Sequence, residues 1–230
     1  MNMYFKKWVQ YLFGFWLYAI CTAIPSFALS QPHAYLQVQG GIGGMFTKNY
    51  STNDNPYNKV SLKNGLAYRL SAGALIDKNL IHYGLEFGYA GYPQNNYTFS
   101  FPSLLASGEQ KYTGHYVDLL GVVKYDLTDL LIWNFYLTGK AGVAYVTQKY
   151  SGHAQALGTL FELSNTVYGY EPDLALGVGY NFTKNLSLDV NYQHIFGNHA
   201  DPDADPAAEQ NDLTQISAVN TLLIGISYHF

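Results

Sequence analysis

The sequence predicts an all-β protein: an eight-stranded antiparallel up-and-down transmembrane β-barrel, preceded by a cleaved signal peptide. Three observations predict it. The chain finishes on a strictly alternating segment that closes with an aromatic, it starts with a basic and then apolar leader, and short and long connections alternate between its strands.

The last segment carries the most information. Leu222, Ile224, Ile226, Tyr228 and Phe230 share one parity, and Leu223, Gly225, Ser227 and His229 share the other. Successive side chains of a strand point to opposite faces, so one face is large and apolar and the other small and mostly polar. A soluble edge strand would need a core to cover five large apolar residues at a terminus, where chains fray. In an outer-membrane barrel the apolar face meets lipid and the small face lines the lumen.

At the other end, Lys6 and Lys7 precede an apolar run from Trp8 to Ile24, followed by Pro25 and small residues. That is the layout of a secretory leader. Ser26-Phe27-Ala28 and Ala28-Leu29-Ser30 both fit the cleavage pattern, which assigns 1–30 to the leader and 31–230 to the barrel. Gln10 and the cleavage-like sequence oppose the competing reading, a retained transmembrane helix. Cys21 is the only cysteine, so the exported chain is expected to have no disulfides. The chain holds 22 Gly, 22 Tyr and 13 Phe with 12% charged residues, which suits aromatic girdles and closely spaced strands. Its charge of −4 becomes −6 without Lys6 and Lys7, and Arg69 is its sole arginine. Nothing here offers nucleic acid a basic patch.

Alternation lays out the strands in order. The first covers about 34–44, with Leu36, Val38 and Ile42 opposite Gln37 and Gln39. The second, 65–76, sets Leu66, Tyr68 and Leu70 against Arg69 and Ser71. The third, 80–92, sets Tyr83, Leu85, Phe87 and Tyr89 against Gly84, Glu86 and Gly88. The fourth, 112–125, sets Val117, Leu119, Val123 and Tyr125 against Tyr116, Asp118 and Lys124. The fifth, 133–146, sets Phe135, Leu137, Val143 and Tyr145 against Tyr136, Thr138, Lys140 and Gly142. The sixth, 170–182, sets Leu174, Leu176, Val178 and Tyr180 against Asp173, Gly177 and Gly179. The seventh, 185–196, sets Leu186, Leu188, Val190 and Tyr192 against Ser187, Asp189, Asn191 and Gln193. The eighth is the C-terminal segment. Short turns fall near Asp77 and Lys78, from Asp126 to Leu130 and from Asn181 to Asn185. Long loops are expected near 45–64, 93–111, 147–168 and 197–215, giving short periplasmic turns and long outer loops. A soluble eight-stranded barrel would put its apolar residues inside, whereas here every strand charge shares the parity of the small residues.

The stretches Asp118-Leu119-Leu120-Gly121-Val122-Val123-Lys124-Tyr125 and Leu176-Gly177-Val178-Gly179-Tyr180, with the leader and terminal Phe230, carry a resemblance. The chain resembles the small eight-stranded OmpA-type outer-membrane barrels, which include opacity-protein-like surface antigens. The resemblance covers essentially the whole exported chain. It implies a Gram-negative outer-membrane location with loops at the cell surface. The pattern of Ile226, Tyr228 and Phe230 resembles the signal that the barrel-assembly machinery reads. Expected partners are therefore that machinery, outer-membrane lipids and lipopolysaccharide. A monomer is expected, with no cofactor, no metal and no nucleic acid.

Six lumen-facing charges form the candidate site: Arg69, Glu86, Asp118, Lys140, Asp173 and Asp189. Arg69 and Glu86 flank Asp77-Lys78 symmetrically, as Asp118 and Lys140 flank Asp129, so each pair is expected to sit face to face. Asp173 and Asp189 flank Asn181, which predicts two facing carboxylates, with a cation such as Lys140 between them or one of them protonated. Ions inside need partners. The resemblance implies a salt-bridge plug, and a gated ion path is the competing reading.

Other constellations are weaker. His194 resembles the late-strand catalytic His of outer-membrane lipid A deacylases, but Phe196 stands where the nucleophilic Ser belongs. Asp201, Asp203, Asp205 and Asp212 have calcium-loop spacing, yet Pro206 replaces the required Gly. Phe99, Phe101, Leu104 and Leu105, then Leu157, Leu160, Phe161 and Leu163, place apolar clusters in the expected outer loops, as a contact surface or as a cap over the barrel. The function expected is that of a non-enzymatic outer-membrane barrel, structural or surface-interacting. Its alternatives are a narrow OmpW-like conduit for small hydrophobic molecules and, third, a lipid A-modifying membrane enzyme.

Overall fold

Strict alternation of large apolar with small or polar residues builds strands, and eight strands close into a barrel with no exposed edge within the membrane. The computed structural model describes residues 32–45, 65–101, 106–127, 134–156, 159–197 and 216–230. The leader and the acidic stretch 201–212 lie outside the described residues. The strands are β1 (His33–Met45), β2 (Gly65–Lys78), β3 (Ile81–Phe101), β4 (Ala106–Asp126), β5 (Phe135–Ala156), β6 (Thr159–Asn181), β7 (Leu186–Ile195) and β8 (Val219–His229). Each pairs antiparallel with the next and β8 pairs with β1, closing the barrel. The backbone of Phe230 donates to Ala34 O at 2.9 Å across that seam.

The expected parity appears in every strand. Leu66 is 78% and Leu176 70% exposed on the outside, while their neighbours Ala67 and Ala175 are 5% exposed. An outer face carrying Leu36, Val38, Leu70, Leu85, Phe87, Leu119, Leu137, Ile224 and Ile226 is a lipid-facing surface. The three outward residues of the C-terminal pattern, Ile226, Tyr228 and Phe230, are exposed on this face.

Strand lengths divide the barrel in two. Crossing a bilayer takes about 9–11 tilted residues, close to the 10 and 11 of β7 and β8. The four strands β3 to β6 run for 21 to 23 residues and continue well beyond the outer rim. Much of the stretches 93–111 and 147–168, expected as loops, is therefore strand. There β4 and β5 stay paired as far as Ala106↔Ala156. A sheet with water on both faces carries no alternation for the sequence to reveal. Phe99 and Phe101 thus belong to β3, and Leu160, Phe161 and Leu163 to β6, whereas Leu104, Leu105 and Leu157 lie outside the described residues.

The turns also sit later than expected. Gly73, not Arg69, faces Glu86, because the β2–β3 turn centres on Asn79 and Leu80. Asn79 adopts φ 57°, a left-handed conformation that Asn tolerates better than most residues.

Candidate functional site: the filled lumen

The inward side chains form three layers. Nearest the periplasmic rim lie Tyr35, Leu75, Val122, Tyr136 and Thr138, with Lys124 and His229. Together with Glu86, Lys140 and Asp189 of the next layer they line a cavity of about 30 Å³, room for roughly two waters. The middle layer is ionic. The outward layer is apolar, with Ala67, Ala90, Tyr92, Tyr116, Ala144, Val146, Val167, Ile195, Val219 and Leu223 in one buried cluster.

All six expected charges are in the middle layer, each no more than 8% exposed. Arg69 Nη1 lies 2.8 Å from Glu86 Oε1 although the two are not directly opposite. The long arginine stem covers the offset that the later turn creates. The other two expected pairings do not form. Asp118 faces Ala144 and Lys140 faces Val122, because the β4–β5 turn is also displaced. Asp118 pairs instead with Arg69, by Nη2 at 2.7 Å and Nε at 3.1 Å. Lys140 reaches both carboxylate oxygens of Glu86, at 2.9 and 2.8 Å. Gly88 explains the exchange. It sits on β3 between Ser71 of β2 and Asp118 of β4, and a Cβ there would stand 2.5 Å from Asp118 Oδ1 and closer still to Arg69. Its missing side chain is the gap through which Arg69 crosses to Asp118.

Asp173 and Asp189 are likewise not face to face: Asp173 faces Ile195 and Asp189 faces Gly179. Neither has a lysine or arginine within salt-bridge distance among the described residues. Amides solvate them instead. Asp189 accepts from Gln37 at 2.5 Å, Gln39 at 3.0 Å, Ser227 at 3.3 Å and the side chain of Asn191. Asp173 Oδ2 accepts from Gln193 at 2.7 Å, and its Oδ1 is buried without a hydrogen-bond partner. Sequence reasoning on charges alone passed over these amides and Tyr35, whose hydroxyl donates to Glu86 at 2.6 Å. Inward parity was the available signal, since each shares a face with a charge.

His194 is held by a neighbouring strand. Its Nδ1 lies 2.7 Å from Asn220 Oδ1 and its ring packs edge-on against Phe196 at 4.5 Å. Among the described residues no group of three or more His, Asp or Glu could hold a metal.

Several known proteins are similar to this chain. A curated protein of Coxiella burnetii, of uncharacterised function, is 29% identical over 143 residues, 56% of this chain. The chain spans about half the length of that relative (52%). Among solved structures, the attachment invasion locus protein Ail of Yersinia pestis is similar at TM-score 0.42 and 16% identity, covering 87% of this chain and 99% of Ail. Neisserial surface protein A gives TM-score 0.39 and 16% identity over 86% of this chain and 97% of that one. OprG of Pseudomonas aeruginosa gives TM-score 0.41 and 15% identity over 87% and 98%. The family model of the outer membrane protein beta-barrel domain matches residues 19–230. The chain therefore belongs to the outer membrane protein beta-barrel family and resides in the Gram-negative outer membrane.

Proposed function

We propose that this is a non-enzymatic outer-membrane protein with a structural or surface-interacting role, whose lumen is plugged by charged side chains. The ionic layer carries the reading. Two cations and four carboxylates, held by one another and by buried amides, occupy the middle of an eight-stranded barrel, which is only wide enough to be filled by its side chains. A conduit for small hydrophobic molecules would need a continuous open path, and a lipid-modifying enzyme a nucleophile beside a base. His194 has Phe196 beside it instead. The monomer embeds its apolar face in lipid, meets lipopolysaccharide at the outer rim and presents the extended β3–β6 sheet to the surroundings of the cell. The barrel-assembly machinery recognises the β8 pattern ending at Phe230.

Solute uptake tests the reading. Liposomes carrying the purified protein should swell in small sugars or glycine no faster than protein-free liposomes. Rapid swelling would establish an open water-filled path and overturn the plug. Lipid A from cells lacking the gene should keep its acyl-chain masses, and a change there would instead point to an enzyme.

A further inference from the structure

The segment leading into β8 departs from simple barrel geometry. Ile216, Ser217 and Ala218 are all buried, at 7%, 2% and 4% exposure, although they lie at the outward end of the barrel. Ile216 belongs to the apolar cluster, and its Cδ1 would lie 2.9 Å from a Cβ at Gly169 on β6. Gln148 on β5 is fully buried and turns both ends of its amide to one backbone unit. Its Nε2 donates to Ser217 O at 2.8 Å, and its Oε1 accepts from Ser217 N at 2.8 Å. The side chain imitates one rung of a β-ladder, made from the opposite wall of the barrel. A polar amide is held in an apolar layer only where both its donor and its acceptor find partners.

We propose that residues 216–218 form a strap that closes the outward mouth of the lumen and is held there by Gln148. This rests on the plugged-lumen reading and adds a second barrier in series with it. The strap and the apolar cluster seal the outside, and the ionic layer seals the middle. The small cavity beside Lys124, Thr138 and His229 remains as the part of the lumen reached from the periplasmic end. Release of one buried main-chain unit would then uncover the apolar layer and leave the ionic layer closed.

Two single cysteines read the barriers separately, in a background in which Cys21 is the sequence's only other cysteine. Val146→Cys reports the apolar layer, where Val146 is fully buried, and Thr138→Cys reports the cavity below the ionic layer. A membrane-impermeant maleimide is applied to the outside of intact cells, and heat-modifiability on gels confirms that each variant is folded. Val146→Cys should be slow to react alone and about tenfold faster when combined with Gln148→Ala, which removes two buried hydrogen bonds. Ile216→Ala, which leaves Gln148 in place, should also speed it. Thr138→Cys should stay unreactive from outside in every background. If Val146→Cys reacts at the same rate with and without both strap substitutions, the strap is overturned and the plug stands. If Thr138→Cys reacts from outside in the otherwise unaltered chain, the plug reading itself fails.

Discussion

The middle and outward layers of the lumen fill the same barrel with opposite chemistry. In the middle, Arg69, Glu86, Asp118 and Lys140 are buried ions whose cost is offset by one another, by the amides of Gln37, Gln39 and Gln193 and by the Tyr35 hydroxyl. In the outward layer, Val146, Ile195, Val219 and Leu223 fill space by apolar packing, with one glutamine that spends both halves of its amide on the main chain. The difference is in what a truncation leaves behind. Removing an ion orphans its partner, whereas removing an alkyl group leaves a cavity.

The largest effect should come from the ions. Arg69→Ala is expected to destabilise the barrel by about 3–5 kcal/mol in reversible unfolding, because Asp118 loses the one cation that salt-bridges it among the described residues. Glu86 keeps Lys140 at 2.8 Å, so the second substitution that restores more stability should be Asp118→Ala rather than Glu86→Ala. Equal recovery by the two would mean that Arg69 serves both carboxylates alike. The apolar layer should respond next: Leu223→Ala, at 1% exposure, is expected to cost about 2–5 kcal/mol. That cost should be additive with Arg69→Ala if the two layers are independent.

Smaller effects test the passage between strands. Gly88→Ala puts a methyl group into the gap that Arg69 crosses, and overpacking of this kind costs about 1–3 kcal/mol. Gly40→Ala is the control, because a Cβ there meets nothing within 4 Å. It should lie within about 0.5 kcal/mol of the unaltered protein. If the two glycines behave alike, the Arg69 to Asp118 contact is not confined by β3.

This contrast also marks what was legible in the sequence. Parity depends only on the two-residue period of a strand, so the side on which Arg69, Glu86, Asp118, Lys140, Asp173 and Asp189 stand follows from their neighbours. Register depends on where each turn centres. A turn that moves by a single residue shifts every facing partner by two, and Asn79 moved the β2–β3 turn past Asp77 and Lys78. The β4–β5 turn is displaced in the same direction, which sets Lys140 opposite Val122, and Lys140 found Glu86 instead of Asp118. The Arg69–Glu86 contact forms in spite of the shifted register, through the length of one side chain. Gln148 stood in a stretch read as loop, because beyond the membrane the alternation that identifies β5 fades.

On the plugged-lumen reading the layers together leave no path through the barrel, and single-channel recording in planar bilayers tests this without relying on any substitution. The unaltered protein should give no steady current above the bare bilayer, and Arg69→Ala alone should still be held shut by the outward layer. A large steady conductance in the unaltered protein would mean that the lumen is open.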